Sequence, residues 1–505
     1  MHNPNPRLIR KQQNSGNLQG KTFLENSDTF MSCKEKLPHN SLPDILYRIG
    51  DIADRTVTPC YLVGGYVRDV LMHKTSSDMD IMVIGEPIPF AKLVEKELNG
   101  KNFVVFERFR TARLELEQPE TGMILLEIVG ARKESYNPDS RKPITEIGSL
   151  EDDLSRRDFT INAFAIPLNK NKRNCLVDLF NGYNDLQQKV LRTPLEPEKT
   201  FSDDPLRMMR AARFSSQLDF HLDKQAISAM SSMAERITIV SKERVSQEFL
   251  KIMASPKPSV GLMILYETGI LHKIFPELTA MAGVEQVDGL GHKDTLLHTF
   301  QVVDKLSENS HNLWLRISAL LHDIAKPLTK RFNKSSGWTF HGHDAVGTKL
   351  SKKIFHSMRW PLEPLPYVQK MIRLHHRPIP LSKGEITDSA VRRLMYEAGE
   401  DLDDLMTLCR ADVTSKNPRK VKRIMNNFKI VEKKITEVAE KDLLEKWRPP
   451  ISGTDIMQTL GLSEGRLVGI IKKKMETAVI EGEIPYDREA ALDYIKKTYR
   501  EMQDS

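Results

Sequence analysis

The sequence predicts a mixed α/β domain followed by a long all-α region, and two patterns indicate this. Between about Ser41 and Leu168, short apolar runs such as CYLVGG, DIMVIG, NFVVFERF and MILLEIVG alternate with helical patterns such as PFAKLVEKELNG. From the segment DDPLRMMRAARF onward, almost every apolar segment has helical spacing, and Gly or Pro breaks divide it into modules. The chain has 505 residues. That is too many for one core, so about two to four domains are expected.

Changes in composition and periodicity place the domain boundaries. The N-terminal segment is rich in Asn, Gln, Ser, Lys and Arg and has little apolar periodicity, which is typical of a flexible tail. The predicted domains are a flexible tail at 1–40, an α/β head at 41–168, a helical neck at 169–255, a helical body at 256–445 and a helical C-terminal tail domain at 446–505.

Composition is that of a soluble globular protein, with 40% hydrophobic and 28% charged residues. The net charge of +7 is compatible with a polyanionic partner, although such an excess is usually only a solvated surface. No apolar run approaches the ~20 residues that span a bilayer, so we expect a cytoplasmic protein without a membrane partner. The four cysteines lack C-x-x-C spacing, which predicts neither a disulfide framework nor a cysteine zinc site, and they are Cys33, Cys60, Cys175 and Cys409.

Two aspartates interrupt the apolar strand pattern DMDIMVIG. Alternate residues of a strand point to the same face, so Asp78 and Asp80 project side by side while Met79 and Ile81 face the other way. Adjacent carboxylates repel each other, and a divalent cation that prefers oxygen ligands, such as Mg²⁺, would keep both ionised. An isolated D-x-D is more often an exposed strand without a function, so the neighbouring residues decide.

Two glycines upstream indicate a phosphate site. Gly64 and Gly65 separate a predicted strand from the helical segment YVRDVL. Without side chains at these positions, backbone N–H groups can approach a phosphate, and Arg68 can neutralise it. A lone pair of glycines is a weak signal. Strand, GG-x-V-R-D and D-x-D nevertheless follow one another in this order, which predicts a site for a nucleoside triphosphate and its metal ions.

This order of motifs resembles the head of the polymerase β superfamily, and within it the class II tRNA nucleotidyltransferase and bacterial poly(A) polymerase family. SRRDFTINAFAI, VDLFNGYNDLQQKVLRT and DDPLRMMRAARF resemble the next three motifs of that family. The resemblance is strongest from Tyr61 to Phe214 and continues to about Ala491. It implies an α/β nucleotidyltransferase head with a mixed sheet, followed by an all-α neck, body and tail.

The resemblance also implies roles for residues at matching positions. Asp78 and Asp80 would be catalytic and would bind Mg²⁺ for two-metal phosphoryl transfer, and Glu127 is a candidate third carboxylate. Two positions depart from the family pattern, because Asp203 replaces a usual Glu and His73 replaces a usual Gly before the metal strand. The nucleotide-binding positions would be Gly64, Gly65, Arg68, Arg157, Asp158, Asp204, Arg207, Arg210 and Arg213.

The implied activity is template-independent addition of CMP and AMP, from CTP and ATP, to the 3′ end of tRNA, which is CCA addition and repair. A poly(A) polymerase and an A-adding enzyme of a split CCA system share these motifs and remain alternatives. A nonenzymatic RNA-binding protein is a further alternative, whose RNA binding would not depend on Mg²⁺. The sequence favours no particular oligomeric state.

Asp204 and Arg207 are the predicted readers of the base. They are three residues apart, which on a helix would place an acceptor and a donor on one face. The carboxylate accepts from the exocyclic amine of cytosine or adenine but meets a carbonyl oxygen in uracil or guanine. An ordinary surface ion pair is the alternative, with Arg210 and Arg213 as solvated helix charges.

A second constellation lies in the helical region. The segment WLRISALLHDIAKP places His322 and Asp323 at the end of a largely apolar helix, where a satisfied core pair is the simpler interpretation. Imidazole and carboxylate ligands suit transition metals, and their order along the chain resembles the HD phosphohydrolase family. His341 and His376 belong to the same inventory. The resemblance implies a site for Ni, Mn or Co whose ligands are His298, His322, Asp323, His343, His375 and Asp412.

This domain would be either a phosphohydrolase or mainly a scaffold. An HD metal phosphohydrolase with an inactive head is the alternative from another functional class, and the presence of Asp78, Asp80 and Arg68 argues against it.

Overall fold

The computed structural model describes residues 33, 35–37, 42–76, 78–118, 122–137, 140–284, 286–287, 290–291, 294–335, 337–378, 387–415, 417–441 and 449–503. The chain forms two compact units. The head unit runs to Gln188 and also includes Arg192–Leu195. The helical unit comprises Lys189–Leu191 and everything from Glu196 onward.

A mixed sheet dominates the head unit, as the sequence predicts. Its hydrogen-bonded order is β1-β10-β9-β2-β3-β6-β5-β4, and β7 and β8 form a separate hairpin. The strands are β1 (Glu35–Lys36), β2 (Cys60–Val63), β3 (Asp78–Val83), β4 (Lys101–Phe106), β5 (Thr111–Gln118), β6 (Gly122–Gly130), β7 (Arg132–Asn137), β8 (Ser140–Ile147), β9 (Phe164–Pro167) and β10 (Cys175–Asp178). β3 and β6 pair in parallel, whereas the other neighbouring strands pair antiparallel.

Helices accompany this sheet in the order α1 (Asp44–Arg55), α2 (Gly65–Leu71), α3 (Pro87–Leu98), α4 (Leu150–Ser155) and α5 (Gly182–Gln188). α1 shows how the pattern of the sequence forms the core. Leu46, Ile49 and Ile52 recur every three residues on one side and are buried. Each such burial contributes about 1.5–3 kcal/mol of transfer free energy, so this face of α1 is strongly specified.

The first strand corrects the prediction of a flexible tail. Most of residues 1–40 lie outside the described residues, but β1 pairs antiparallel with β10, with Glu35 opposite Leu176. The N–H of Leu37 also donates to the carbonyl of Asn174 at 2.8 Å. Part of the predicted tail is therefore an edge strand of the head sheet.

The cysteines require a second correction. Cys33 forms a disulfide with Cys175, the first residue of β10, so the prediction of no disulfide framework missed one crosslink. The two residues are 142 positions apart, and no spacing rule for neighbouring cysteines could predict that contact. Cys60 and Cys409 are buried free thiols.

Strands also continue beyond the predicted end of the head at Leu168. β10 lies after this residue and belongs to the same sheet. Short strand pairs occur even among the helices, namely β11 (Val190–Leu191) with β12 (His221–Leu222), β13 (Gln286–Val287) with β14 (Leu290–Gly291), and β15 (Arg331–Asn333) with β16 (Gly337–Thr339). The prediction that the strands stop at Leu168 is therefore wrong.

The helical unit is otherwise all-α within the described residues. Its helices are α6 (Pro197–Asp203), α7 (Leu206–Leu218), α8 (Lys224–Ser232), α9 (Lys242–Met253), α10 (Pro258–Glu267), α11 (Ile270–Ile274), α12 (Pro276–Thr279), α13 (Thr295–Ser307), α14 (Leu313–Leu321), α15 (Lys326–Thr329), α16 (His343–Ser357), α17 (Leu365–Leu374), α18 (Asp388–Ala398), α19 (Leu402–Asp412), α20 (Pro418–Lys441), α21 (Gly453–Leu460), α22 (Arg466–Glu481) and α23 (Arg488–Gln503).

A buried arginine joins several of these helices. Arg316 on α14 is 2% exposed, and its guanidinium donates to the backbone carbonyls of Met253, Ser255, Ser307 and Ser310. Burial lowers the pKa of Arg316. These carbonyls belong to the ends of α9 and α13 and the turns after them, so one side chain satisfies the ends of two neighbouring helices.

The C-terminal helices share one core. Ile456, Ile471 and Ile495, from α21, α22 and α23, are fully buried in it. Val391 of α18 and Val438 of α20 pack into the same core, although both lie in the predicted body. The predicted boundary at 445/446 itself falls outside the described residues. No helix within the described ranges is both long and apolar enough to cross a membrane.

Candidate functional site

Strand β3 presents the predicted metal carboxylates. Asp78 is exposed and Asp80 is partly exposed, while Met79 between them is buried on the opposite face. β6 runs parallel beside β3 and places Glu127 opposite Asp80. Paired residues of neighbouring strands project to the same face, so the candidate third carboxylate lies beside the other two.

The electrostatics of these carboxylates fit a divalent cation. Burial raises the pKa of Asp80 to about 6, and Glu127 and Asp78 add to this effect while Arg157 opposes it. Burial and the charge of Asp78 likewise raise the pKa of Glu127. A bound cation with a preference for oxygen ligands would relieve this repulsion, so the donor set suits Mg²⁺.

Gly64 lets two side chains approach the backbone. It has φ +79° and directly precedes α2. A Cβ built at Gly64 would lie 2.8 Å from Nη1 of Arg157 and 3.1 Å from Oδ2 of Asp80. A larger residue would therefore be strained in its backbone and would also crowd the guanidinium. Gly64, Asp80 and Arg157 converge here, at the start of the helix that begins with Gly65.

Arg68 is more buried than a freely accessible phosphate ligand would be. It is 8% exposed, and its Nη1 donates to Oδ1 of Asn162 at 2.8 Å. Its Nε and Nη2 donate to Asp69. Nδ2 of Asn162 in turn donates to Oδ1 of Asp158 at 3.0 Å. Two predicted nucleotide-binding residues, Arg68 and Asp158, are thus connected through an asparagine.

The sequence reasoning missed both Asn162 and Asp153. Asn162 is a polar residue inside the apolar stretch TINAFAI, and this position in the sequence identifies it as a candidate site residue. Asp153 on α4 is fully buried and forms ion pairs with Arg156 and Arg157. The segment DDLSRR places two arginines three and four residues after an aspartate, which is the spacing of ion pairs within a helix.

In the helical unit, the predicted base readers do not share a helix. α6 ends at Asp203 and α7 begins at Leu206, and Asp204 between them is extended, with φ −140° and ψ 101°. Pro205 follows Asp204 and disfavours helical conformation in the residue before it. The premise that Asp204 and Arg207 lie on one helical face is therefore wrong.

Both side chains are nevertheless fixed at the start of α7. Oδ1 of Asp204 accepts from the N–H of Leu206, and Oδ2 accepts from Nη2 of Arg244, each at 3.1 Å. Arg207 is 8% exposed, and its Nη1 donates to the carbonyl of Thr200 at 3.1 Å. Asp204 therefore has an ion-pair partner that the sequence reasoning did not identify.

The other two arginines of α7 differ in their surroundings. Arg213 is buried and pairs with Glu248 of α9 at 3.1 Å, with its Cζ 4.4 Å from the ring centroid of Phe214. Arg210 is partly exposed, and its Cζ lies 5.3 Å from the same centroid. Arg213 thus fastens α7 to α9, whereas Arg210 is more accessible to a ligand.

The helical unit brings the predicted HD ligands together in two adjacent groups. Within each group the ligand atoms lie within 4.8 Å of one another. His341 is exposed and belongs to neither group. His376, which is absent from the predicted ligand set, does belong. The groups are His298, His322 and Asp412, and Asp323, His343, His375 and His376.

Asp323 faces both groups. Its Oδ2 lies 3.2 Å from Nε2 of His322 and 3.7 Å from Nε2 of His298. Its Oδ1 lies 3.5 Å from Nε2 of His343 and 3.9 Å from Nε2 of His375. One buried carboxylate therefore presents one oxygen to each group.

The imidazoles are oriented for metal binding. Nδ1 of four of these rings is hydrogen-bonded, which directs Nε2 toward the group. The acceptors are the carbonyls of Ala319 for His322 at 2.7 Å, Phe340 for His343 at 2.7 Å and Ile372 for His375 at 2.6 Å, and Nδ1 of His298 lies 2.7 Å from Oγ1 of Thr414. Imidazoles that present Nε2 beside carboxylates suit a transition metal.

Charge couples the two groups. Burial alone would lower the pKa of His322, but the carboxylates of Asp323 and Asp412 raise it to about 10. Burial, with His322 and His376, lowers the pKa of His375 well below its usual range. The interpretation of His322 and Asp323 as an isolated core pair is therefore too simple.

Three family models match the chain in succession. The poly A polymerase head domain matches residues 60–192, the probable RNA and SrmB- binding site of polymerase A matches residues 219–281, and the HD domain matches residues 295–417. The first match extends past Leu168, in agreement with β10 of the sheet.

The relatives decide the family. An A-adding tRNA nucleotidyltransferase of Deinococcus radiodurans is 30% identical over 440 residues, which cover 85% of this chain and 93% of the relative. The chain belongs to the tRNA nucleotidyltransferase family. A multifunctional CCA protein of Shewanella frigidimarina is 33% identical over 60% of this chain and 70% of its own. A CC-adding tRNA nucleotidyltransferase of Thermus thermophilus is 29% identical over 86% and 93%.

This tRNA nucleotidyltransferase also has the fold of its family. A Thermotoga maritima CCA-adding enzyme complexed with tRNA has a TM-score of 0.56 to it at 21% identity, over 92% of this chain and 97% of that chain. The predictions of the family, of the fold class and of an enzyme are confirmed. The nucleotidyltransferase head and the HD domain both imply the use of divalent metal ions.

Proposed function

We propose that this tRNA nucleotidyltransferase adds both CMP and AMP to tRNA and so builds the complete CCA end. The convergence of Asp80, Arg157 and Gly64 beside Asp78 and Glu127 carries the proposal, because it joins a carboxylate cluster to a cationic, glycine-bordered phosphate site. The relatives described above include a CC-adding enzyme, an A-adding enzyme and a multifunctional CCA protein. The last of these has 33% identity to this chain, against 29% and 30% for the other two, and this favours the complete CCA end.

Each group in the proposed site has a task. Asp78 and Asp80, with Glu127 beside them, would hold Mg²⁺, which when bound supplies charge neutralisation and activation of the attacking 3′-hydroxyl. Arg157 faces the same point and would bind the triphosphate. Arg68 would stabilise phosphate charge from behind the glycines, through its contact with Asn162.

In the helical unit, Asp204 and Arg207 would contact the base. Arg244 orients the carboxylate of Asp204, and Thr200 anchors Arg207. Asp204 would accept from the amine of C or A, with Arg207 donating beside it. We propose that Arg210 contacts phosphate and that Arg213, through Glu248, supports α7 rather than touching the nucleotide.

Nucleotide incorporation tests this function. Transcripts of one tRNA that end before CCA, after C and after CC would each be incubated with single nucleotides and with CTP plus ATP. Complete CCA addition on all three is the expected result. A product that stops after CC identifies a CC-adding enzyme, addition only to the CC-ending transcript identifies an A-adding enzyme, and a long A tract identifies a poly(A) polymerase. The double Asp78→Ala, Asp80→Ala variant is the control.

The ligand geometry of the HD domain favours a second candidate function, metal-dependent phosphohydrolysis. The two groups around Asp323 would hold a transition metal such as Ni, Mn or Co, and Lys326, with Nζ 2.5 Å from Asp323, adds a cation that can face a phosphate. Protein loaded with each metal would be assayed on p-nitrophenyl phosphate and bis(p-nitrophenyl) phosphate. Hydrolysis that is lost in the Asp323→Ala variant is expected. Metal binding without hydrolysis would indicate a scaffold.

We place the enzyme in the cytoplasm, where its proposed tRNA substrate is available. The Cys33–Cys175 disulfide would then form only under oxidising conditions.

A further inference from the structure

We infer that Asp153 is a positioning residue for nucleotide binding, which acts by holding the guanidinium of Arg157 toward the triphosphate. The inference rests on the proposed function, in which Arg157 binds the nucleotide, and adds a residue that lies behind the site. Asp153 lies on the short helix α4 and is 0% exposed.

The carboxylate of Asp153 is divided between two arginines. Its Oδ1 accepts from Arg156, through Nη2 at 2.5 Å and Nε at 3.1 Å, and its Oδ2 accepts from Nη2 of Arg157 at 3.1 Å. Burial raises the pKa of Asp153, but the charges of Arg157 and Arg156 outweigh burial and lower it. Asp153 is thus a buried anion with one oxygen for each arginine.

The stability of the fold does not by itself explain why Asp153 and Arg157 form a buried ion pair. Burying a carboxylate and a guanidinium costs desolvation free energy that their attraction often only offsets, and apolar residues of similar volume can serve as well. The planar guanidinium has donors in fixed directions, so binding one edge determines where the other edge points. Orientation of Arg157 is the function that this arrangement provides.

The opposite edge of Arg157 faces the proposed nucleotide site. Nη1 lies 3.5 Å from the carbonyl of Asn162 and 2.8 Å from the point where Gly64 would carry a Cβ. Oδ2 of Asp80 is 3.1 Å from that same point. Arg157 is thus in contact with Asp153, while Asp80 lies near enough to attract the same guanidinium. Without Asp153, Arg157 would be free to turn onto Asp80 and withdraw its charge from the phosphates.

Steady-state kinetics of the full-length enzyme with CTP and ATP provide the test. In the isosteric Asp153→Asn variant, KM for both nucleotides should rise about tenfold, with a smaller change in kcat and an unchanged KM for tRNA, because the charge-assisted hydrogen bond that holds Arg157 is lost. Equilibrium dialysis with labelled CTP should show a similar loss of affinity. The loss should be equal for CTP and ATP, because Arg157 does not contact the base.

Two control variants separate positioning from helix stability. Asp152→Asn weakens the capping box with Ser149 on the same helix without touching Arg157, because an amide oxygen accepts less strongly than a carboxylate, so KM should stay within about twofold of wild type. Arg156→Gln removes the other partner of Asp153 and should also leave KM nearly unchanged. An equal rise of KM in Asp152→Asn would show that Asp153 serves only the helix and would overturn the inference.

A double-mutant cycle identifies the mediator. In an Arg157→Ala background, adding Asp153→Asn should raise KM no further, whereas independent roles predict multiplied effects. If Asp153→Asn does not fold by circular dichroism, Asp153→Glu keeps the charge and moves it by one methylene, and it should raise KM at least about threefold. Unchanged KM in a folded variant rejects the inference.

The result does not depend on which product the enzyme makes. If wild-type enzyme binds CTP and ATP but adds neither to tRNA, the proposed function fails, while dialysis still tests Asp153. If Asp153→Asn binds both nucleotides as wild type does, the proposed positioning role of Asp153 is rejected. The proposal that the enzyme adds CCA would not be affected by that result.

Discussion

At the scale of single residues, the carboxylates that we propose to bind Mg²⁺ repel one another and should destabilise the metal-free protein. Asp80 is held in partly buried surroundings beside Asp78 and Glu127, and its pKa is raised to about 6. A raised carboxylate pKa means that the folded state binds the proton more tightly than the unfolded state. The free energy of unfolding of metal-free protein should therefore fall as pH rises from about 4 to about 6.

We predict that Asp80→Asn abolishes nucleotide addition and stabilises the metal-free protein at pH 7 by about 1–3 kcal/mol. The stabilisation should vanish near pH 4, where wild-type Asp80 is protonated. Thermal unfolding in the presence of a chelator, at several pH values, measures this effect. A stabilisation of the same size at pH 4 and pH 7 would contradict the electrostatic explanation.

His73 illustrates a departure from the family with a physical cost. It stands where the family usually has glycine, and its φ of +55° lies in the left-handed region that glycine favours. The free energy of unfolding of the His73→Gly variant should be about 0.5 kcal/mol higher than that of wild type. Glycine relieves about 1–2 kcal/mol of backbone strain, and this exceeds the free-energy cost of the greater conformational entropy of the unfolded chain.

Urea denaturation measures this difference. The matched control is Lys74→Gly, at the next exposed position, where φ is not positive and glycine should destabilise the protein. Equal destabilisation by both glycines would mean that the conformation of His73 carries no strain.

At the scale of elements, the break between α6 and α7 changes the account of base selection. Asp204 is fixed by Arg244 and by the start of α7, rather than by a helical partner three residues away. We predict that Asp204→Ala reduces the efficiency of CTP and ATP incorporation and increases relative use of UTP and GTP, by about ten- to hundredfold in discrimination. Incorporation of all four nucleotides measures it.

The control for base selection is Arg68→Ala, which should weaken all four nucleotides alike because Arg68 lies beside the glycines of the head. If Asp204→Ala kept the preference of wild type, Asp204 would have only the structural task of pairing with Arg244.

Helices and strands can be predicted from the sequence where one periodicity is continuous. The prediction fails where a single residue interrupts that periodicity. β2, β3, β4 and β6 are read directly from apolar runs, and β5 was overlooked although Leu114 and Leu116 alternate with polar residues in it. The D-x-x-R spacing is that of a continuous helix, but Pro205 disfavours helical conformation at Asp204 and ends the pattern there.

The candidate sites can be predicted from the sequence where titratable residues occur in an otherwise apolar segment. Histidines and aspartates in an apolar helical region pointed to the HD groups, because such residues are seldom buried without a partner. Asp153 and Asn162 were missed because they act on other side chains. The pairing of Cys33 with Cys175 depends on which strand lies at the sheet edge, and local sequence does not determine that.

At the scale of the whole molecule, the two proposed metal sites belong to different units and should be separable. We predict that the double His322→Ala, Asp323→Ala variant loses its bound transition metal and any phosphohydrolase activity while CMP and AMP addition persists. Metal analysis after loading with Ni²⁺, Mn²⁺ or Co²⁺, together with both assays, measures this. The Asp78→Ala variant is the reciprocal control. Wild-type protein that retains no metal after loading would refute the assignment.

The disulfide gives the whole chain a dependence on redox conditions. It closes a loop between residues 142 positions apart, which in the chain-entropy account stabilises the fold by up to about 4 kcal/mol. We predict that a reducing agent lowers the melting temperature of wild type, that Cys33→Ser starts at the lower value, and that the reductant leaves this variant unchanged. Calorimetry of both proteins with and without reductant measures the effect. The control is the Cys60→Ser variant, whose melting temperature should still fall when the reducing agent is added.

The path of the chain has a consequence for recombining this enzyme with its relatives. Residues 189–191 belong to the helical unit, yet the next four return to the head before the chain leaves it again. In the head, the carbonyl of Arg192 accepts the N–H of Thr160, and its side chain pairs with Asp185. A chimera joined after Gln188 would lack these contacts. The head therefore does not end at Gln188, and a transplanted head needs a crossover point placed after Leu195, which also carries residues 189–191 of the helical unit with it.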